Sequence, residues 1–443
     1  MEENNANVIE QNIEQNFQDI STTGNASFID DSGVIDFETT PIVDIVNDIL
    51  VSAAKKGVSD IHFDPAVDCL KVRLRIDGIL NTYLRIPNTV KQNLTARVKI
   101  LAGMNITETR LPQDGAIKTT IDGLKLDMRV STLPTKRGEK IVIRIMDYSM
   151  SLQGIETLCF SAQNYKKVLR MTGLPSGIIL VTGATGSGKS TTVYSILQRL
   201  NNEETNVITV EDPVEMEIEG INLIQVNSEI GLDFATVLRS ILRQDPNVIM
   251  IGEIRDSETA RIAVRASITG HLVLSTIHTN NSLSTIERLL DMDVERYLLA
   301  SALEGIISQK LARKLCDHCK RPRQTTDFEK TLFKKVLNLD IPQVYDAVGC
   351  DQCTNGYHGR VALHEVLAIN QAVRDAISNN VGKKELRKLV YSNGTITLAQ
   401  DGLYKIIAGF TTFDEVLKLI ELDEVFALAE EQAALAQQQK GTS

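Results

Sequence analysis

The stretch Ile178–Thr192, IILVTGATGSGKSTT, constrains this chain more than any other. An apolar, β-branched run from Ile178 to Val181 reads as a buried parallel strand. It leads into Gly183-Ala184-Thr185-Gly186-Ser187-Gly188-Lys189-Ser190, which fits GxxxxGK[ST] at every fixed position. Thr191 to Leu200 then reads as a helix, with Val193, Ile196, Leu197 and Leu200 at helical spacing. Glycines let backbone N–H groups curl around phosphate oxygens, and the N-terminus of the new helix adds its positive end. Lys189 brings a point charge to the terminal phosphates, and the Ser190 hydroxyl is a ligand for Mg²⁺. Strand, loop and helix in this order predict that Gly183 to Thr191 bind a nucleoside triphosphate.

The chain around this stretch has 443 residues, enough for about three domains. Its net charge of −10 argues against nucleic acid as the main partner. No apolar run approaches the roughly 18 residues of a membrane span. The first residues have neither the basic start nor the apolar core of a signal peptide, so a cytoplasmic protein is expected. Four of the six cysteines are paired as CxxC, and Cys69 and Cys159 are single, a reduced-compartment pattern.

Residues 1–40 contain no Lys or Arg and read as an acidic flexible tail. Ile42, Ile45, Val46, Ile49, Leu50 and Ala53 then trace one face of a helix. Short strands are expected at Ile61–Phe63, Cys69–Ile76 and Leu80–Arg85, with Asp77-Gly78 as a hairpin turn. A helix over Val90–Ala102 and a hairpin of Leu124–Ser131 with Lys140–Ile145 complete an α+β domain over 41–148, and 149–160 reads as a linker. Strands at Ile178–Thr182, Val207–Val210, Val248–Ile251 and Leu272–Thr276 alternate with helices. That alternation predicts a parallel sheet covered on both faces, an α/β core over 161–310. A cysteine-bearing insert over 311–361, a helical region over 362–430 and a polar tail over 431–443 follow.

Acids mark the ends of two of these strands. Glu253 follows Val248–Ile251, and Glu211, Asp212 and Glu215 follow Val207–Val210. In nucleotide-hydrolysing sheets the carboxyl ends of the strands lie beside the phosphates, where a carboxylate holds Mg²⁺ through water or orients the attacking water. His278 follows the third strand, where the γ-phosphate would lie, and reads as a sensor. His271 precedes that strand and reads equally well as a core residue. Arg239 and Arg243 stand four apart on an expected helix Asp233–Gln244. Arg129 and Arg144 lie on the polar faces of their strands, opposite Leu126, Met128 and Val130 and opposite Ile141, Ile143 and Ile145. Spacing alone gives the arginines no role beyond solvation.

Cys316-x-x-Cys319 and Cys350-x-x-Cys353 form two knuckles whose four thiolates suit a closed structural zinc site. Lys310, Arg313, Lys314, Lys320, Arg321 and Arg323 surround the first knuckle, which leaves open an anionic or partner surface there.

The chain resembles the secretion ATPase superfamily, in particular the type II secretion and type IV pilus-assembly (extension) ATPases. The resemblance covers about 41–430 and rests on SDIHF (59–63), RIDG (75–78), LPQDG (111–115), RVSTLPTKRGEKIVIRI (129–145) and the phosphate loop. It continues through TVEDPVE (209–215), RSILRQDPNVIMIGEIRD (239–256), TGHLVLSTIHTN (269–280) and the tetracysteine insert. It implies a PAS-like N-terminal domain and a RecA-like P-loop NTPase motor domain with ATP at the cleft between them, assembled as a homohexamer. It further implies that Glu253 handles the attacking water and that Glu211 assists. Arg129 and Arg144 match arginines that the family brings to the phosphates from the N-terminal domain, and Arg239 and Arg243 match motor-domain arginines near the same site. His271 and His278 match the family's histidine box, and the cysteines imply Zn²⁺. ATP hydrolysis would then drive assembly of a type IV pilus or a type II secretion pseudopilus at the inner membrane through a platform protein. The location implied is cytoplasmic, peripheral to the membrane through partners. Fuller members carry an extra docking domain before the core, whereas here residues 1–40 alone precede it. A RecA-like nucleic-acid motor, a helicase, is the competing expectation, and the net charge, the aspartate box and the cysteines disfavour it.

Overall fold

The computed structural model describes residues 37, 39–121, 124–147, 154–392, 394–422 and 426. The expected polar tail (431–443), nearly all of the expected acidic tail (1–40) and residues 149–153 of the expected linker lie outside the described residues. The chain divides into two compact units, the first ending at Met150 and the second beginning at Ser151.

The first unit opens with α1 (Ile42–Lys55), which buries Ile45, Val46, Ile49, Leu50 and Ala53 along one stripe. Asp44 in its first turn and Lys55 in its last complement the helix dipole. Strands β1 (Asp60–Pro65), β2 (Cys69–Ile76) and β3 (Ile79–Pro87), helix α2 (Lys91–Leu101) and strands β4 (Gln113–Ile121), β5 (Leu124–Thr135) and β6 (Gly138–Asp147) follow. Asp77 (φ 48°) and Gly78 (φ 85°) both adopt positive φ, so β2 and β3 are joined by the two-residue turn expected of an Asp-Gly pair. The six strands form one antiparallel sheet in the order β3-β2-β1-β6-β5-β4. Ile61, Phe63, Leu70, Val72, Met128, Val130, Ile141 and Ile143 share a core with α1 and α2. Strand alternation therefore turns Arg129 and Arg144 to the opposite face of the sheet. Strand β4 has no counterpart in the sequence reading, because QDGAIKTTI carries little apolar alternation.

The second unit continues through α3 (Ala162–Thr172), β7 (Gly177–Thr182), α4 (Lys189–Leu200), β8 (Val207–Glu211), β9 (Asn222–Gln225) and α5 (Phe234–Ile241). Next come β10 (Val248–Ile251), α6 (Ser257–Ile268), β11 (Leu272–Ile277), α7 (Ser282–Asp291), α8 (Arg296–Ala302) and β12 (Leu303–Leu315). The seven-stranded sheet runs β15-β12-β7-β11-β10-β8-β9, where β15 is Tyr357–Ala368. Six neighbouring strands are parallel, and β7, β8, β10 and β11 are buried along their whole length, as strands covered on both faces must be.

The sheet is not wholly parallel, however. The chain leaves β12, makes the cysteine-bearing excursion and returns as β15, which pairs antiparallel with β12 from Gly305↔Ala368 to Leu315↔Tyr357. Strand β12 runs through residues 310 and 311, and β15 runs through 361 and 362, so the excursion proper lies between Leu315 and Tyr357. It holds β13 (Arg321–Gln324), α9 (Asp327–Leu337) and β14 (Gln343–Asp346). Helices α10 (Gln371–Ser378), α11 (Lys383–Ser392), α12 (Leu398–Ile407) and α13 (Phe413–Leu417) complete the unit. The expected helical region thus begins with the last seven residues of a strand.

Candidate nucleotide and metal sites

Parallel register brings the chemistry to one edge of the sheet. Gly177 of β7 stands opposite Leu272 of β11, and Thr182 stands opposite Ile277. Val248 of β10 stands opposite both Leu272 and Val207 of β8. The carboxyl ends of β7, β8, β10 and β11 therefore line up, and the residues that follow them are Gly183, Asp212, Gly252 and His278.

The loop 183–188 leaves β7 and turns into α4 at Lys189, with Gly186 (φ 77°) and Gly188 (φ 85°) in the left-handed region. Ala184, Thr185, Gly186 and Ser190 are exposed on this edge, while Ser187 is buried beneath them. The Lys189 Nζ donates to the carbonyls of Gly183 (3.0 Å) and Ala184 (3.1 Å). Burial lowers the Lys189 pKa, and the Glu253 carboxylate partly offsets this. A partly desolvated ammonium that now rests on neutral carbonyls is poised to exchange them for phosphate oxygens.

Glu253 lies two residues past β10 with little exposure. One carboxylate oxygen meets Arg255, and Oε2 lies 3.6 Å from His278 Nε2. Arg255 also approaches Asp212 at 3.8 Å. Glu211, the last residue of β8, is buried. Its Oε2 accepts a hydrogen bond from the Tyr194 hydroxyl of α4 (2.6 Å), and its Oε1 accepts one from Thr209 (2.8 Å). Burial raises the Glu211 pKa, and these two hydrogen bonds partly offset it. Glu211 is thus turned into the interior, while Glu253, close enough to bias Lys189, is the carboxylate nearer the loop.

The remaining candidates have partners of their own. His271 precedes β11, and its Nδ1 lies 2.9 Å from the Ala266 carbonyl. About 20 Å of strand separates that end of the sheet from the phosphate loop. Helix α5 ends at Ile241, so Arg243 lies beyond it in a turn rather than on the helical face expected from the sequence. There Arg243 donates to the Arg239 carbonyl (2.8 Å) and to the Ser240 hydroxyl (3.2 Å). Arg239 pairs with Glu258 in the first turn of α6. In the first unit Arg144 pairs with Asp60 at 3.0 Å and stands opposite Arg129 in the β5–β6 ladder.

Sequence reading missed several supporting groups. Thr182 Oγ1 donates to the Thr279 carbonyl (2.8 Å) and accepts from the Thr279 N–H (3.1 Å), which ties the loop's start to the residue after His278. Gln309 of β12 bonds to both Ser187 and Thr192. A buried amide within the apolar run GIISQKLA was the available signal for Gln309.

The antiparallel pairing of β12 with β15 brings the two CxxC knuckles together. Cys316 follows β12 and donates its N–H to the Gly356 carbonyl (2.9 Å). The four sulfurs lie within 4.8 Å of one another, at 3.9 Å for Cys316–Cys350, 3.7 Å for Cys319–Cys353 and 3.7 Å for Cys350–Cys353. A tetrahedron with Zn–S bonds of about 2.3 Å has edges of about 3.8 Å, so this donor set fits zinc. Backbone N–H groups of Gly349 and Cys350 point at the Cys319 and Cys353 sulfurs at 3.3 Å each, the outer support that thiolate ligands take. The surrounding basic side chains are largely engaged within the unit. Arg313 pairs with Glu415, Lys314 and Lys320 with Asp317, and Arg323 with Glu329 and Asp346, while Lys310 donates to the Leu419 carbonyl. This internal pairing weakens the reading of an open anionic surface.

The fold and loop define an α/β protein with a GxxxxGK[ST] loop at the carboxyl edge of its sheet. The family described as "Type II/IV secretion system protein" matches residues 36–418, and the chain belongs to that family. It is 43% identical over 385 residues to the type II secretion system ATPase E of Vibrio cholerae serotype O1, covering 86% of this chain and 76% of that one. It is 44% identical over 384 residues to the type IV pilus assembly ATPase PilB of Myxococcus xanthus, covering 86% and 68%. Among solved structures it is similar to the pilus retraction motor PilT with bound ADP. That match has a TM-score of 0.58 and 27% identity, and covers 84% of this chain and 96% of that one.

Proposed function

We propose that this chain is a hexameric ATPase that powers assembly of a type IV pilus or a type II secretion pseudopilus at the inner membrane. The observation that carries the reading is the gathering of Lys189, Glu253 and His278 on the loop edge of the sheet, within a chain of this family. Residues 183–191 cradle the phosphates of ATP, and Lys189 neutralises their terminal charge. The exposed Ser190 hydroxyl and the nearby carboxylates are oxygen donors that suit Mg²⁺. Bound Mg²⁺ would supply charge neutralisation on the transferring phosphoryl group.

Glu253 orients the attacking water, with Arg255 and His278 holding its carboxylate. Glu211, held by Tyr194 and Thr209, supports the site from the interior instead of reacting itself. Arg129 and Arg144 supply positive charge from the first unit on ring assembly, the role of an arginine finger. Arg239 and Arg243 act near the same nucleotide site, and His271 belongs with His278 to the family's histidine box.

In this reading the first unit is a PAS-like domain over 41–148, joined by a linker over 149–160 to a RecA-like core over 161–310. The cysteine insert over 311–361 holds structural Zn²⁺, and the helical region over 362–430 closes the unit. The partners are further copies of the same chain and an inner-membrane platform protein, which would place the chain at the cytoplasmic face of that membrane. The matched family and relatives are secretion and pilus ATPases, so the helicase reading is set aside.

Measured ATP turnover of the full chain, with and without single-stranded DNA, tests the proposal. Turnover independent of DNA and abolished by Glu253→Gln supports it. Strong stimulation by DNA, or no turnover by assembled wild-type chain, overturns it.

A further inference from the structure

We propose that Gln309 is a positioning residue of the nucleotide site: its amide orients the Ser187–Gly188 peptide so that the Gly188 N–H faces the bound phosphate. The inference rests on the reading of residues 183–191 as the nucleotide loop and goes beyond it to the group that shapes the loop from beneath.

Strand β12 is parallel to β7, with Ser308 opposite Thr182, so the next residue, Gln309, stands beside Gly183 where the loop begins. Gln309 is 1% exposed, and both ends of its amide are engaged. Its Nε2 donates to the Ser187 carbonyl (2.6 Å), and its Oε1 accepts from the Thr192 hydroxyl (2.7 Å) in the first turn of α4. In a planar trans peptide the C=O of one residue and the N–H of the next point in opposite directions. Drawing the Ser187 carbonyl down onto Gln309 therefore turns the Gly188 N–H away from it, toward the open side of the loop. An amide donor held in advance contributes more to anion binding than one that must reorganise as the ligand arrives.

The same residue accounts for two of the glycines. A Cβ at Gly183 (φ 153°) would stand 2.4 Å from the Gln309 backbone carbonyl oxygen, and one at Gly188 (φ 85°) would stand 3.0 Å from Gln309 Nε2. The loop lies on Gln309 too closely for a side chain at Gly183, and at Gly188 the Gln309 amide would have to give way by a few tenths of an ångström. One residue from a strand 122 positions beyond Ser187 thus shapes the turn, a contact that the GxxxxGK[ST] pattern does not contain.

The test compares Gln309→Met, Gln309→Glu and Thr192→Val in the full chain. Three quantities are measured: the dissociation constant of a fluorescent ATP analogue, KM against kcat for ATP, and the thermal midpoint without nucleotide. Gln309→Met keeps the bulk and loses both hydrogen bonds. Gln309→Glu keeps the acceptor for Thr192 but sets a carboxylate oxygen against the Ser187 carbonyl. Thr192→Val loses only the limb on α4. Gln309→Met is expected to weaken ATP binding about tenfold or more, with KM raised in step and kcat changed far less. Gln309→Glu should be weaker still, and Thr192→Val should fall between wild type and Gln309→Met.

A purely structural Gln309 would lower the midpoint without ordering the affinities in this way. If Gln309→Met does not fold, the nearly isosteric Gln309→Glu carries the test alone. Wild-type affinity and KM in folded Gln309→Met, or in Gln309→Glu, overturn the proposal. Failure of the wild-type chain to bind the analogue overturns the nucleotide reading itself.

Discussion

Arg144 of β6 and Asp60 of β1 stand opposite each other in register and are joined by an Nε–Oδ1 hydrogen bond of 3.0 Å. Arg75, opposite Asp60 on the other side, approaches the same carboxylate at 3.4 Å. Asp60 thus sits between two guanidinium groups, and Arg129 stands next in the ladder beyond Arg144. Like charges directly opposite in a sheet repel, so a carboxylate in this row offsets a cost the two arginines would otherwise impose. Arg144 stays largely exposed and is held at only one edge of its guanidinium, which leaves donors for a phosphate.

The first prediction concerns these arginines. Arg144→Ala and Arg129→Ala should each leave the affinity for ATP unchanged while turnover falls by as much as about 10³–10⁵, the range of measured arginine fingers. Equilibrium binding and steady-state turnover on assembled protein check this. Wild-type turnover in both variants would leave the arginines as part of a solvated sheet face.

Lys189 and Glu253 should separate binding from chemistry. Lys189→Ala removes the ammonium that rests on the Gly183 and Ala184 carbonyls and should abolish ATP binding. Glu253→Gln keeps the shape of the side chain and should retain binding while turnover falls by about 10²–10⁴. Near-wild-type turnover in Glu253→Gln would remove Glu253 from the water-orienting role.

The tetracysteine site should hold one zinc per chain, measured by metal analysis of protein purified without chelator. Cys316→Ser, Cys319→Ser, Cys350→Ser or Cys353→Ser should each release it and loosen the two knuckles, while the core of Leu332, Phe333 and Val344 within the excursion stays packed. Protein that contains no zinc would remove this assignment.

Acid should weaken the second unit through Glu415. Burial pushes its carboxyl up, but hydrogen bonds from Arg313 and Lys418 outweigh burial and hold it at about 2, below its ordinary 4.5. A depressed carboxyl contributes stability in full above its unfolded value, and that contribution is lost as pH falls from about 4.5 toward 2. Glu415→Gln should therefore be less stable than wild type at neutral pH, by on the order of 1–3 kcal/mol. Denaturant unfolding should show that gap closing as the pH is lowered, and a gap independent of pH would count against the coupling.

What the sequence by itself determined is the local chemistry. The phosphate loop, the four buried strands around it, the Asp77-Gly78 turn and the apolar stripe of α1 were all legible, because each depends on periodicity or backbone geometry over a few residues. The place of Glu253 just past an apolar strand was legible for the same reason. Strands β4 and β12, the antiparallel return of β15 and the early end of α5 were not. Their residues carry no clean alternation, and their conformation comes from neighbours far away in the chain. Only the tertiary structure decided that Glu211 turns inward to Tyr194 while Glu253 meets Arg255 and lies beside His278, and that His271 lies at the far end of its strand. It also decided that Gln309 lies under the loop. Which group meets which is set by strand order and register, and these follow from burying a whole sheet at once, a property of the folded chain that no short stretch of sequence contains.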